Sequence, residues 1–201
     1  MAQSKVSIDS NSYFRLAQTI HPLLNVEFGE EKYCLYIIDG FEGEYYKSRR
    51  LKSKFYWAKS NEYEGNRDRR ISRSKKQKKE IDNIFEHIWE ASQNYEYEGG
   101  ENSQIEDKLP PGPVDCDALA VAKVLNIPVV TDDEDMTMLG MEFDVKMWST
   151  LKLLRVMRDC HHIQNSTVTS LVRYWKETNE MPWLFRTHVT EYFSELNLLN
   201  V

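Results

Sequence analysis

Apolar and polar positions along this chain follow two alternating periods. Lys5-Val-Ser-Ile-Asp9 alternates residue by residue and stops at an acid, the pattern of a short strand with a carboxylate at its C-terminal tip. From Asn11 to Ile20 the period lengthens: Tyr13, Phe14, Leu16, Ala17 and Ile20 form one helical stripe, and Pro22 breaks away beyond it. Tyr33-Cys-Leu-Tyr-Ile-Ile38 is an unbroken apolar run of strand length, as expected of a strand buried on both faces of a parallel sheet. A helical period returns from Phe41 to about Ala58, carried by Tyr45, Leu51 and Phe55. Residues 60–74 are polar and charged and read as an exposed connection. Over 75–92, Ile81, Ile84, Phe85, Ile88 and Trp89 recur at spacings of three and four, predicting a further helix. Residues 94–113 contain Glu, Gly and Pro without a period and read as a loop.

The second half repeats the alternation. Asp115 to Leu125 predicts a short helix with Leu119, Val121 and Ala122 inward, its acidic first turn suiting a cap and the positive end of the helix dipole. Ile127 to Thr131 and Phe143 to Trp148 predict two strands, and 150–158, 166–176 and 183–196 predict three helices. Strands alternating with helices predict an α/β fold, with helices on both faces of a mostly parallel sheet. There is neither an internal repeat nor a Gly-rich phosphate loop.

Composition narrows the class. At 201 residues, 41% hydrophobic and 12% aromatic, the chain has ample material for a core and is not a disordered segment. No apolar run approaches the roughly 18 residues of a membrane span, and the opening MAQSKVSIDS lacks the apolar stretch of a signal peptide. Cys34, Cys116 and Cys160 are dispersed and odd in number, which argues against a disulfide scaffold or a structural zinc site. The expectation is a soluble cytoplasmic protein with no membrane partner. The net charge of −6 conceals an asymmetry: Tyr46 to Lys79 holds fourteen Lys or Arg against three acids, and the rest of the chain is strongly acidic. A basic segment on an acidic protein points to a polyanionic ligand or an acidic partner, the plain alternative being a solvated helix face.

Four acids occupy positions that such a sheet brings together. Asp9 and Asp133 sit just past strand ends, on the edge where open α/β sheets keep their sites; Asp115 opens a helix that feeds a strand, and Glu44 lies early in the helix after another. With parallel strands and right-handed connections, all four border one cleft. Clustered carboxylates repel one another and call for a cation, and hard oxygen ligands suit Mg²⁺ or Mn²⁺. Beside a phosphodiester, such a metal activates water and neutralises charge developing on phosphorus. Other chemistry-bearing residues read as structural. His161 and His162 are adjacent and belong at a helix terminus, Cys116 has no His at a useful spacing, and Trp148, Trp175 and Trp183 read as packing residues. Met136, Met138 and Met141 read as gap fillers beside the site.

The segment Asp115-Cys-Asp-Ala-Leu-Ala-Val-Ala-Lys-Val-Leu-Asn-Ile-Pro-Val-Val-Thr-Asp-Asp-Glu-Asp135 resembles the signature of PIN-domain nucleases. In that signature an acid begins a short Ala-rich helix, and a small hydrophobic strand then ends in a Thr-x-Asp turn. Asp115 falls on the helix acid, Thr131 and Asp133 on the turn, and Asp135 on a further acid; Asp132 lies between, where Asn is common. Asp9-Ser-Asn11 is similar to the family's first motif. Glu44 fits the second acid best, with Glu42 and Asp39 as alternatives, and Asp117 is an alternative to Asp115. The resemblance covers roughly residues 5 to 150. It implies a three-layer α/β/α PIN-like domain over 1–150, with a basic insertion at about 60–80 and a loop at about 94–113. A C-terminal helical extension, 151–201, would pack on the same domain.

The resemblance further implies a divalent-metal-dependent endoribonuclease. Asp9, Glu44, Asp115 and Asp133 would be catalytic; Asp9, Asp115, Asp133 and Asp135 would hold Mg²⁺ or Mn²⁺; Asn11 and Thr131 would support them. RNA would be the substrate, with an antitoxin or other regulatory protein and a second copy of the chain as further partners. Lys47, Arg49, Arg50, Lys52 and Lys54 follow Glu44 directly and are the candidate nucleic-acid contacts, with residues 67–79 as a mobile arm. The alternative is a catalytically inactive PIN-like module that binds nucleic acid or protein through the same basic segment.

Overall fold

Strands β1 (Ser4–Ile8), β2 (Glu27–Phe28), β3 (Tyr33–Ile37), β4 (Val129–Val130) and β5 (Met147–Trp148) form one sheet in the order β2-β3-β1-β4-β5. All neighbours are parallel except β2, which runs antiparallel to β3 at the edge. This computed structural model describes residues 3–94 and 110–200. The register sets Ile8 beside Ile37 and Val130, and Val130 beside Trp148. The next residues, Asp9, Ile38, Thr131 and Ser149, therefore leave the sheet side by side along its C-terminal edge.

Ten α-helices pack around this sheet among the described residues: α1 (Ser10–Leu16), α2 (Phe41–Lys47), α3 (Arg49–Lys54), α4 (Asn61–Arg67), α5 (Lys75–Asn94), α6 (Pro113–Leu125), α7 (Glu134–Glu142), α8 (Thr150–Asp159), α9 (Asn165–Thr178) and α10 (Phe185–Tyr192). Alternation along the strands divides the apolar side chains into two cores. Val6, Ile8, Leu35, Ile37 and Val130 meet Tyr13 and Phe14 of α1, Leu154 of α8 and Trp175 of α9. Val129 turns the other way, toward Ile88 of α5, Leu119 and Ala122 of α6, and Leu139 of α7. Each such side chain contributes about 1.5–3 kcal/mol by leaving water. The fold is thus mixed α/β with helices on both faces, as the two periods predict. The helices after residue 150 fill the first core, and the fully buried Trp175 donates its indole N–H to the Arg15 carbonyl (2.9 Å).

Several segments depart from the sequence reading: β2 and α7 are elements it did not expect, and the strand expected over 143–148 is confined to Met147–Trp148. The helix expected over 41–58 is broken. Ser48 takes extended backbone and accepts the Leu51 N–H on its hydroxyl (3.2 Å), capping α3, and a 3-10 turn over Tyr56–Lys59 follows. The connection expected over 60–74 contains α4, and its last residue, Arg67, is completely buried rather than exposed. The guanidinium donates to Glu42 (2.9 Å), to the Ala58 carbonyl (2.7 Å) and to the Tyr13 hydroxyl (3.3 Å), and lies 4.7 Å from the Phe41 ring centroid. Arg70 and Arg73 pair with Asp39. The mobile arm expected from residue 67 onward is therefore a braced segment leading into α5. The loop expected at 94–113 falls largely on 95–109, outside the described residues.

Arg67→Ala removes a buried side chain and leaves the Ala58 carbonyl and Tyr13 hydroxyl short of a donor. We expect a loss of about 2–4 kcal/mol in chemical denaturation. Arg70→Ala, whose ion pair with Asp39 is partly solvated, should cost less than about 1 kcal/mol.

Candidate active site

The register that aligns the strand ends also assembles the acids. Asp9 leaves β1 as the N-cap of α1: its Oδ1 accepts the Ser12 N–H (2.6 Å), and its own N–H donates to the Val130 carbonyl (3.0 Å). Its Oδ2 accepts the Thr131 hydroxyl (2.8 Å), and the same hydroxyl oxygen accepts the Asp133 N–H (3.1 Å). Asp133 in turn caps α7 by accepting the Met136 N–H (2.8 Å). Because α1 joins the first core and α7 the second, the two helices leave β1 and β4 toward opposite faces. Their N-termini therefore stand side by side at the C-terminal edge, the place where open α/β sheets take ligands.

Two further helices close on this edge. Asp115 stands in the first turn of α6, its Oδ2 accepting the Gly112 N–H (3.0 Å). Glu44, in α2, accepts the hydroxyl of Ser10 (2.7 Å), the residue next to Asp9. Gly40 and Val114 set how closely α2 and α6 approach. Gly40 holds a φ of 99°, and a β-carbon there would come within 2.8 Å of a Val114 methyl. The carboxylates sit near helix N-termini, where backbone N–H groups and the helix dipole favour negative charge.

That support is incomplete. Burial pushes the Asp9 carboxyl up to about 6, against the pull of its Ser12 and Thr131 hydrogen bonds. Burial likewise pushes Asp115 up to about 6; the Gly112 N–H opposes the shift, and the negative charges of Glu44 and Asp133 add to it. Asp115 is thereby coupled to both neighbours. The hydrogen bonds through Ser10 and Thr131 connect Asp9 to the same pair. Among the described residues, no group of three or more His, Cys, Asp or Glu side chains is arranged to hold a metal ion.

No family model, curated protein or solved structure matches this chain. Its site therefore rests on its own geometry, which sorts the candidate residues. Glu42 is drawn to Arg67 and Asp39 to Arg70 and Arg73, so of the three candidates for the second acid it is Glu44 that joins the chain of contacts. Asp117, whose carboxyl is also raised by burial, faces Arg73, Asp39 and Asp82 instead. Asp135 is buried in the first turn of α7. Asn11 is exposed on α1; its neighbours Ser10 and Ser12, which the sequence reading passed over, make the bonds to Glu44 and Asp9. Lys54, expected among the nucleic-acid contacts, is tied to Glu180, while Lys47, Arg49 and Arg50 are exposed and Lys52 is half-buried.

Asp132, buried behind the cleft, had no assigned role. It pairs with Arg15 (3.0 Å) and accepts the backbone N–H (2.9 Å) and hydroxyl (2.5 Å) of Thr150, binding the turn after β4 to α1 and α8. Of the three methionines read as gap fillers, Met136 is buried, but Met138 and Met141 are exposed.

The raised carboxyls have a thermodynamic consequence. A group that holds its proton up to about pH 6 when folded, and only to about 3.8 when unfolded, makes the fold lose stability as pH rises between those values. In chelator-treated protein, Asp115→Asn should therefore raise stability at pH 7 by about 1–3 kcal/mol, with little effect at pH 4. Thermal melts at the two pH values check this; equal effects at both would contradict it.

Proposed function

We propose that this chain is a divalent-metal-dependent phosphodiesterase acting on RNA, built on a PIN-like three-layer α/β/α fold. The observation that carries the reading is Asp115, a half-buried carboxylate whose ionisation is opposed first by its removal from water and then by the charges of Glu44 and Asp133. Such repulsion serves no purpose in a purely structural site and is relieved by a cation. The donor set, carboxylate oxygens throughout, fits Mg²⁺ or Mn²⁺. Mg²⁺ takes one or two protein carboxylates and fills its shell with water and substrate phosphate, so a closed protein cage is not required.

In this reading Asp9, Asp115 and Asp133 would hold the metal, one or two of them directly and the rest through its waters, and the bound metal would lower the pKa of water and offset charge developing on phosphorus. Asp135 supports that end of the cleft. Glu44, oriented by Ser10, accepts the proton of the attacking water as the bond from phosphorus to the leaving oxygen breaks. Thr131 fixes Asp9 relative to the Asp133 turn. Lys47 lies one helical turn beyond Glu44, and Arg49 and Arg50 begin the next helix, placing positive charge where a phosphate backbone would leave the acids.

Purified protein should cleave labelled RNA with Mn²⁺ or Mg²⁺ and stop on chelation. Asp9→Asn and Asp115→Asn should lower the rate by at least about a hundredfold while the fold persists. Undiminished cleavage by either variant would exclude the mechanism. RNA affinity should fall steeply with salt. Arg49→Gln should reduce the slope of log affinity against log salt by about 0.7, the value for one phosphate contact on a single strand.

A further inference from the structure

An open cavity of about 450 Å³ has Thr131, whose hydroxyl joins Asp9 to the Asp133 turn, in its wall. The Thr131 N–H donates to the carbonyl of Trp148 (3.0 Å), which lines the cavity together with Trp183, His188 and Tyr192. All four rings are only partly buried, in contrast to the fully buried Trp175. Trp148 keeps the packing role its sequence context suggests, against the first core and the Tyr33 ring, while part of its surface lines the cavity with Trp183. The Lys152 ammonium sits 5.2 Å from the Tyr192 ring centroid, adding positive charge to the aromatic wall. The His188 ring lies 5.8 Å from that of Tyr192, with its Nδ1 buried away from the cavity.

We infer that this cavity receives an unpaired nucleobase of the strand whose phosphate lies at the acids, an inference that rests on the nuclease reading. Aromatic faces take up any base by stacking, and Lys152 suits the adjoining phosphate. The volume is of the size that encloses a small ligand group. A base stacked within a duplex presents no free face, so the cavity selects single strands. It also sets a register: the base held here fixes which phosphate reaches the carboxylates.

The test uses the full chain carrying Asp115→Asn, so that no strand is consumed, with labelled oligo(U), oligo(dT) and a duplex, each about 12 nucleotides long. Anisotropy titrations should show Trp183→Ala and Tyr192→Ala weakening single-strand binding about tenfold each, Trp183→Phe retaining most of it, and duplex binding little changed. Thermal melts confirm that the variants fold. Unchanged single-strand affinity in both alanine variants would overturn the inference and leave the cavity to another occupant, such as a peptide. An equal loss on the duplex, or no single-strand binding at all, would also overturn it. The two readings separate cleanly. Trp183-dependent binding by a protein that never cleaves RNA leaves the base site standing and removes the nuclease, and cleavage with Trp183 irrelevant to binding does the reverse.

Discussion

The hydroxyl of Thr131 holds two chain reversals together. It donates to the carboxylate that ends β1 and accepts from the backbone that ends β4, so the departures of α1 and α7 are fixed to each other across the sheet. A hydroxyl has one proton, and its donation to Asp9 determines which lone pairs remain for the Asp133 N–H. A valine at this position would fill the same space and perform neither function. Behind the threonine, Asp132 extends the anchorage to Arg15 and Thr150, making the cleft floor a connected polar layer between two apolar cores.

Carboxylates crowded on such a floor store unfavourable energy in the absence of a cation. Here the relief comes from backbone N–H groups of Ser12, Gly112 and Met136 and from side-chain hydroxyls, and it leaves Asp9 and Asp115 protonated further up the pH scale than solvated acids. The arrangement lowers stability as pH rises through the raised carboxyl range. The exposed cations of α2 and α3 follow Glu44 in the chain, and Lys152 lies in the aromatic wall that Thr131 also lines.

Much of the architecture was legible from period alone. The strands near residues 5, 33 and 127 announce themselves as alternating or continuous apolar runs, and parallel pairing then puts Asp9 and Asp133 on one edge, whereas the run from 143 yields only the two residues of β5. Features that depend on partners distant in sequence were not legible. Arg67 looks like one more charge in a basic stretch, and only its contacts with Glu42, Tyr13 and Ala58 make it a core residue. Arg15 and Asp132 are separated by 117 residues, and neither carries a local sign of its partner. β2, two residues long, is too short to show a period. Ser48 breaks a helix by competing for a backbone N–H, a choice that apolar spacing does not record. Trp148 and Trp183 could be seen as large apolar residues but not as a wall, because α10 folds back to meet β5 only in the assembled molecule.

Gly40 and Val114 deserve a last consequence. The closeness of Glu44 and Asp115 might be taken for an electrostatic compromise, yet α2 and α6 are brought together by the absence of a β-carbon at Gly40 and the methyls of Val114 against it. The gap between the two acids is therefore a steric dimension. A spacing set by packing in this way does not depend on the charge of the carboxylates it separates, so protonation and salt act on the acids without being what holds α2 and α6 together.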